Sequence, residues 1–208
     1  MKVLMSLFFY KDKGLFHFHI PKTGGVSVIQ ALLSAGASKE FEGTDNETGV
    51  RRGHLHLDDV EKKFPSYREY PQFTIIRNPW HRLCSEYAWK KGTSIFNHNF
   101  NRWVYLRLSK YKRNNYLDDN HFRPQLDFIS PETNVFVVDY INYAQNWLCE
   151  YFDEEFYFQK LNQAKKYEYP NFDKILDKQS KTLFYEVYQD DIDFYSKQHS
   201  KYKELSCQ

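Results

Sequence analysis

Apolar and polar residues interleave along residues 15–20, with Leu15, Phe16, Phe18 and Ile20 set against His17 and His19. That period predicts a strand, which Pro21 ends. From Val26 the spacing becomes helical (Val26, Ile29, Leu32, Leu33), with Gly36 as the stop. Residues 37–52 are polar, hold Gly43 and Gly49 and show no period, so they read as a flexible loop able to cover a site. Residues 57–64 fit a short helix before Pro65. The compact run 73–77 predicts a central strand, after which Asn78 offers a capping side chain and Pro79 suits the first helical position. The helix that follows puts Leu83, Cys84, Tyr87 and Ala88 on one side and Arg82, Ser85 and Trp89 on another. Residues 95–111 predict a further helix, with Phe96, Phe100, Trp103 and Val104 inward. Residues 114–120 read as a polar connection, 135–138 as a third strand, and 143–152 and 182–195 as helices. Strands alternating with helices give an α/β expectation: a central, mainly parallel sheet flanked by helices.

Composition narrows this picture. A chain of 208 residues fits a single domain, 1–208, with a sizeable core. Twenty-nine Lys and Arg against 27 Asp and Glu argue against a dedicated nucleic-acid binder. The 17 Tyr and 18 Phe compensate for few aliphatic residues, so most of these rings are expected in the core. Cys84, Cys149 and Cys207 have neither metal-type nor disulfide spacing, which favours a reducing compartment. Residues 1–10 are apolar but lack a basic leader and a cleavage site, and are too short to span a bilayer. The expectation is a soluble, cytoplasmic protein with no membrane span.

Two segments carry candidate chemistry. In the first, His19-Ile20-Pro21-Lys22-Thr23-Gly24-Gly25-Val26-Ser27, a strand meets a Gly-containing turn and a helix. Backbone N–H groups and the positive helix end there suit a phosphate. Gly24 and Gly25 permit close backbone approach, Lys22 adds a mobile charge, and Thr23 and Ser27 add hydroxyls. The lysine precedes the glycines, so this is not the Walker A order. The second segment, Arg77-Asn78-Pro79-Trp80-His81-Arg82-Leu83-Cys84-Ser85, offers an arginine fork at a strand end and a serine two turns into a helix. Each segment alone is also compatible with an ordinary strand–helix turn.

In this order the two segments resemble those of the carbohydrate sulfotransferases that use 3′-phosphoadenosine 5′-phosphosulfate (PAPS). The likeness is to the group holding the heparan 2-O- and chondroitin-type enzymes and small bacterial relatives. The resemblance implies a three-layer, P-loop-like sulfotransferase fold. It implies that Lys22 meets the sulfate and its leaving phosphate, and that Thr23, Gly24, Gly25, Val26 and Ser27 hold the 5′-phosphate. Arg77, Arg82 and Ser85 match the family's 3′-phosphate pattern, Arg-x-Pro-x-x-Arg-x-x-Ser. PAPS would be the co-substrate and PAP the product, with no metal required.

His54-Leu55-His56 lies between the two segments, where the family places its base. His54 is favoured as base and His56 as a supporting or substrate contact, since an imidazole titrates near ~6.5. Two histidines with Asp58 and Asp59 are also compatible with a metal set, but no further ligand is evident. His121-Phe122-Arg123-Pro124-Gln125 resembles an element of the bacterial members; His121 and Arg123 are candidate acceptor contacts, and Gln125 is either that or a structural hydrogen-bonder. The basic residues Arg107, Lys110, Lys112 and Arg113 would attract an acidic glycan or form a solvated helix end. The expected activity is sulfuryl transfer from PAPS to a hydroxyl, on a carbohydrate, by in-line displacement. The competing readings are a nucleotide kinase, which needs Mg²⁺ and a carboxylate at a strand end, and a non-catalytic glycan- or nucleotide-binding module.

Overall fold

The computed structural model describes residues 6–40, 43–92, 95–158 and 168–207. Five strands form one sheet in the order β3-β1-β2-β4-β5: β1 (Ser6–Tyr10), β2 (Lys13–Phe18), β3 (Ser38–Glu40), β4 (Gln72–Ile76) and β5 (Asn134–Val137). The sheet is mixed, which corrects the expectation of a mainly parallel one. β2–β4 and β4–β5 are parallel, whereas β1 pairs antiparallel with both β2 and β3. The cause lies in two segments whose pattern gave no strand signal. Residues 6–10 fold back on β2 in a tight hairpin with Lys11 at φ 54°, and Ser38–Glu40 adds an edge strand inside the expected loop. Residues 1–5 lie outside the described residues.

The helices are α1 (Gly25–Ser34), α2 (Leu57–Lys63), α3 (Pro79–Lys91), α4 (His98–Tyr111), α5 (Leu117–Asn120), α6 (Ile141–Phe152), α7 (Phe172–Ile175) and α8 (Lys178–Leu205). Asn78 caps α3 as expected: its side-chain oxygen accepts from the N–H groups of Trp80 (3.0 Å) and His81 (3.2 Å). On α1 the buried face is Gly25, Val28, Ile29 and Leu32, while Leu33 turns outward. Among the described residues no helix is long and apolar enough to cross a membrane.

Two apolar clusters hold these layers. One joins the sheet (Phe8, Phe16, Phe73, Ile75, Val137) to α1 and α6. The other joins α3, α4 and α8 through Trp80, Leu83, Phe100, Trp103, Leu108 and Phe184. Aromatic rings dominate both, which follows from the area each ring removes from water. α8 also pins the segment after α5. Asp191 accepts from the N–H groups of Gln125 (2.7 Å) and Leu126 (3.0 Å), and the Tyr188 hydroxyl donates to the Phe122 carbonyl (2.8 Å). Residues 121–126 are thereby brought beside the ends of β2 and β4.

Candidate active site

β2 delivers the chain into the first segment, and local space selects its glycines. Gly24 sits at φ 99°, a conformation that other residues rarely adopt. At Gly25 a Cβ would lie 2.3 Å from His19 Cδ2, so only glycine lets α1 start against that ring. The first N–H groups of α1 have no partner within the helix and face the turn with the positive end of its dipole. Val26 and Ser27 are half-buried on this first turn. Thr23 departs from its expected role. It is buried, and its hydroxyl donates to the Ile20 carbonyl at 2.8 Å, so its one proton closes the turn.

The second segment locks onto the first. Arg77 donates from its guanidinium to the Lys22 carbonyl (3.1 Å) and to the Tyr169 hydroxyl. Its backbone N–H and carbonyl are both held by the Gln125 side chain, each at 2.9 Å. Arg82 is 3% exposed and donates to three carbonyls: Pro21 (2.9 Å), Arg123 (2.8 Å) and His121 (3.0 Å). That revises the expected phosphate contact, because its guanidinium braces the first loop against residues 121–123. Arg123 is revised in the same way, and Gln125 takes the structural one of its two expected roles. Gln125 clasps Arg77, and the buried Arg123 donates to Asn120 (3.2 Å) and Asp127 (3.1 Å) beside the Tyr116 ring. Ser85 is half-buried one turn beyond Arg82.

The histidines separate into distinct environments. His54 is buried, and its Nδ1 lies 2.8 Å from Asp119 Oδ2. Its carbonyl accepts from Asn120 Nδ2 at 2.8 Å. Asp119 also accepts from Arg51, at the backbone N–H (2.7 Å) and at Nε. These partners sit on α5, where Asp118, Asp119 and Asn120 take φ values of 50°, 64° and 61°. Such backbone costs an ordinary L-residue roughly 1–2 kcal/mol, and Asp and Asn tolerate it best. With Nδ1–H given to Asp119, the Nε2 of His54 is left as an acceptor. Burial lowers the His54 pKa to about 4, against the opposing pull of Asp119, so the ring is neutral at pH 7. Burial alone would raise Asp119, but its bond to His54 and the Arg51 contacts outweigh it and hold the carboxylate below its usual range.

His121 carries a second buried pair, with Nδ1 2.6 Å from Glu86 Oε2. Ring contacts connect the file: His17 to His19 (5.6 Å between centroids), His19 to His54 (5.1 Å), His54 to His121 (5.2 Å) and His121 to Trp89 (5.4 Å). The Lys22 ammonium lies 4.8 Å from the Trp89 ring. Burial lowers the Lys22 pKa to about 8, with Arg77 and Lys90 adding to the shift and Glu86 opposing it. His56 stands apart from this file. Its ring meets Tyr116 (5.8 Å), and its Nδ1 is 2.6 Å from Asp59 Oδ2 without hydrogen-bond alignment.

The donor set nearest to a metal geometry is also not the one suggested by His54, His56, Asp58 and Asp59. Among the described residues His54, Asp119 and His121 each bring one donor atom within 4.8 Å of the others. Each ring's Nδ1 is engaged by its own carboxylate, a pairing used by acid–base histidines and by metal-ligating ones alike. Sequence reasoning missed Asp119, Asn120, Glu86, Trp89 and Tyr169. The one local signal was the Asp118-Asp119-Asn120 run, the residue types that favour left-handed backbone.

Two strand–turn–helix units, clasped together through Arg77, Arg82 and Gln125, lie beside a buried, neutral imidazole whose Nδ1 is anchored on a carboxylate. The model of the sulfotransferase family matches residues 5–198, and the chain belongs to that family of enzymes. No curated protein and no solved structure matches it significantly.

Proposed function

We propose that this sulfotransferase moves the sulfuryl group of PAPS to a hydroxyl of a carbohydrate, with His54 as the base. The observation that carries this reading is the carboxylate-anchored, buried His54 beside two phosphate segments that Arg77 and Arg82 clasp into one site. The acceptor oxygen attacks sulfur as the bond from sulfur to the phosphate oxygen breaks. The acceptor proton passes to His54 Nε2, and PAP leaves. Lys22 and the N–H groups of the first loop stabilise the charge that grows on the leaving oxygen, which is catalysis by position and electrostatics.

The 5′-phosphate falls to Gly24, Gly25, Val26 and Ser27, and the 3′-phosphate to Arg77 and Ser85. Thr23 and Arg82 shape the loops that hold them. His56 supports α2 through Asp59. Tyr169 lies on the Arg77 guanidinium and stacks on His81 at 3.7 Å, and the neighbouring Pro170 carbonyl accepts from Trp80 (2.9 Å). On this reading residues 169–170 border the 3′-phosphate.

Calorimetry with adenosine 3′,5′-bisphosphate against ATP·Mg²⁺, followed by transfer from labelled PAPS to a glycan panel, tests the proposal. Binding of the bisphosphate and transfer to a hydroxyl are expected. Preference for ATP·Mg²⁺, or a Lys22→Ala variant with full turnover, would overturn it.

A further inference from the structure

We propose that the indole of Trp89 is the platform on which the acceptor's pyranose ring stacks while its hydroxyl reaches His54. This rests on the sulfuryl-transfer reading above and names how that site recognises its acceptor. Trp89 is 56% exposed, whereas the other aromatic residues of α3, Trp80 and Tyr87, are buried. A single exposed ring is ordinary on a protein surface, so what sets Trp89 apart is its neighbours. Trp89 touches both sides of the reaction: the Lys22 ammonium is 4.8 Å from its ring, and the His121 ring lies 5.4 Å away and nearly parallel, at 22°. His121 in turn contacts His54 at 5.2 Å.

An acceptor hydroxyl must reach His54 Nε2 and line up with a sulfur held by Lys22. The ring that carries this hydroxyl then extends toward the open side, where Trp89 stands. The C–H face of a pyranose suits an indole, and its rim hydroxyls suit the neighbouring His121.

Charge is a weaker source of recognition here, because three of the nearby cations are paired with carboxylates. Arg107 and Lys90 pair with Asp118 (3.0 and 3.8 Å), and Lys112 pairs with Glu186 (2.7 Å). Face stacking, rather than a field of free cations, therefore supplies the recognition. An open platform flanked by hydrogen-bonding groups also fits a sugar chain better than a phenol, which needs an enclosed apolar slot.

The test compares wild type, Trp89→Ala and Trp89→Phe with three pyranoside hexasaccharides (a β-glucan, a chitin fragment and an unsulfated uronate–hexosamine chain) and with p-nitrophenol. For the pyranoside that is turned over, Trp89→Ala should raise KM at least about tenfold and Trp89→Phe much less, as loss of a stacked ring predicts. Affinity for adenosine 3′,5′-bisphosphate should not change. An unchanged KM in Trp89→Ala, or turnover of p-nitrophenol alone, overturns the platform. Quenching of tryptophan fluorescence by the same hexasaccharides, compared between wild type and Trp89→Phe, reads the contact without any transfer. A wild type that fails to bind the bisphosphate would sink the transfer reading, while the quenching would still decide whether Trp89 holds a sugar.

Discussion

The four histidines in file divide into an inner and an outer pair that share burial but not chemistry. His17 and His19 sit at the sheet end. Both nitrogens of His17 and the Nδ1 of His19 have no hydrogen-bond partner. His17 lies flat on Phe73, with centroids 4.5 Å apart, and both rings abut Gly25. His54 and His121 are as deeply buried, yet each has a carboxylate at Nδ1, Asp119 at 2.8 Å and Glu86 at 2.6 Å. Burial lowers the pKa of His17 to about 3 and that of His19 well below its usual value. A bare buried imidazole is thus a neutral packing ring. A carboxylate partner turns the same ring into one with a set tautomer and a defined free nitrogen.

The sharpest way to break this comparison is to remove an outer ring. His54→Ala should lower kcat by about 10²–10⁴-fold, the usual range for a lost general base, with little change in KM for PAPS. His56→Ala should stay close to wild type. The reverse pattern in these two assays would move the base to His56.

Removing only the anchor should cost less. Asp119→Asn keeps the shape but no longer demands Nδ1–H, so kcat is expected to drop by roughly 10²-fold through the wrong tautomer. Because Asp119 raises the His54 pKa against burial, the acid limit of the pH profile should also move lower in that variant. A kcat equal to wild type would reduce Asp119 to a structural contact.

The pH dependence of kcat/KM in the wild type should fall on two sides. Below about 4 His54 takes up a proton, and above about 8 Lys22 loses one. Lys22→Arg should abolish the alkaline limb even where it lowers the rate.

The smallest effect concerns stability. His17, His19 and His54 all have folded pKa values below that of the unfolded chain, so the unfolded state binds protons first as pH falls. Their contribution is complete above about 6.5 and is lost progressively toward pH 4, so thermal melts should shift downward over that window. His17→Leu removes two unpartnered nitrogens and should leave the melting temperature at pH 7 equal or higher while flattening its pH dependence. A steeper dependence would show that His17 has a role beyond packing.

Local patterns in the chain carry much of this molecule. The strand 73–77, the Asn78–Pro79 cap, the glycines of the first turn and the helix at 143–152 were legible because each depends on neighbours in sequence: side-chain period, cap chemistry or backbone freedom. The hairpin partner β1 and the edge strand β3 were not, since they owe their pairing to β2 and to each other. The roles of Arg82 and Arg123 were not legible, because nothing local tells a guanidinium facing a ligand from one facing the protein's own oxygens.

Consecutive residues thus carry the α/β alternation, the two strand–turn–helix units and the histidine between them, because turns and caps are built from neighbours in the chain. Only the tertiary structure decided which histidine is anchored, by which carboxylate, and which arginine stays at the site. Asp119 lies 65 positions from His54 and Glu86 lies 35 from His121, and packing of α3, α5 and α8 brings them together. Burial keeps His54 neutral, the His54 and Arg51 contacts hold Asp119 ionised against burial, and both belong to the fold rather than to any stretch of chain.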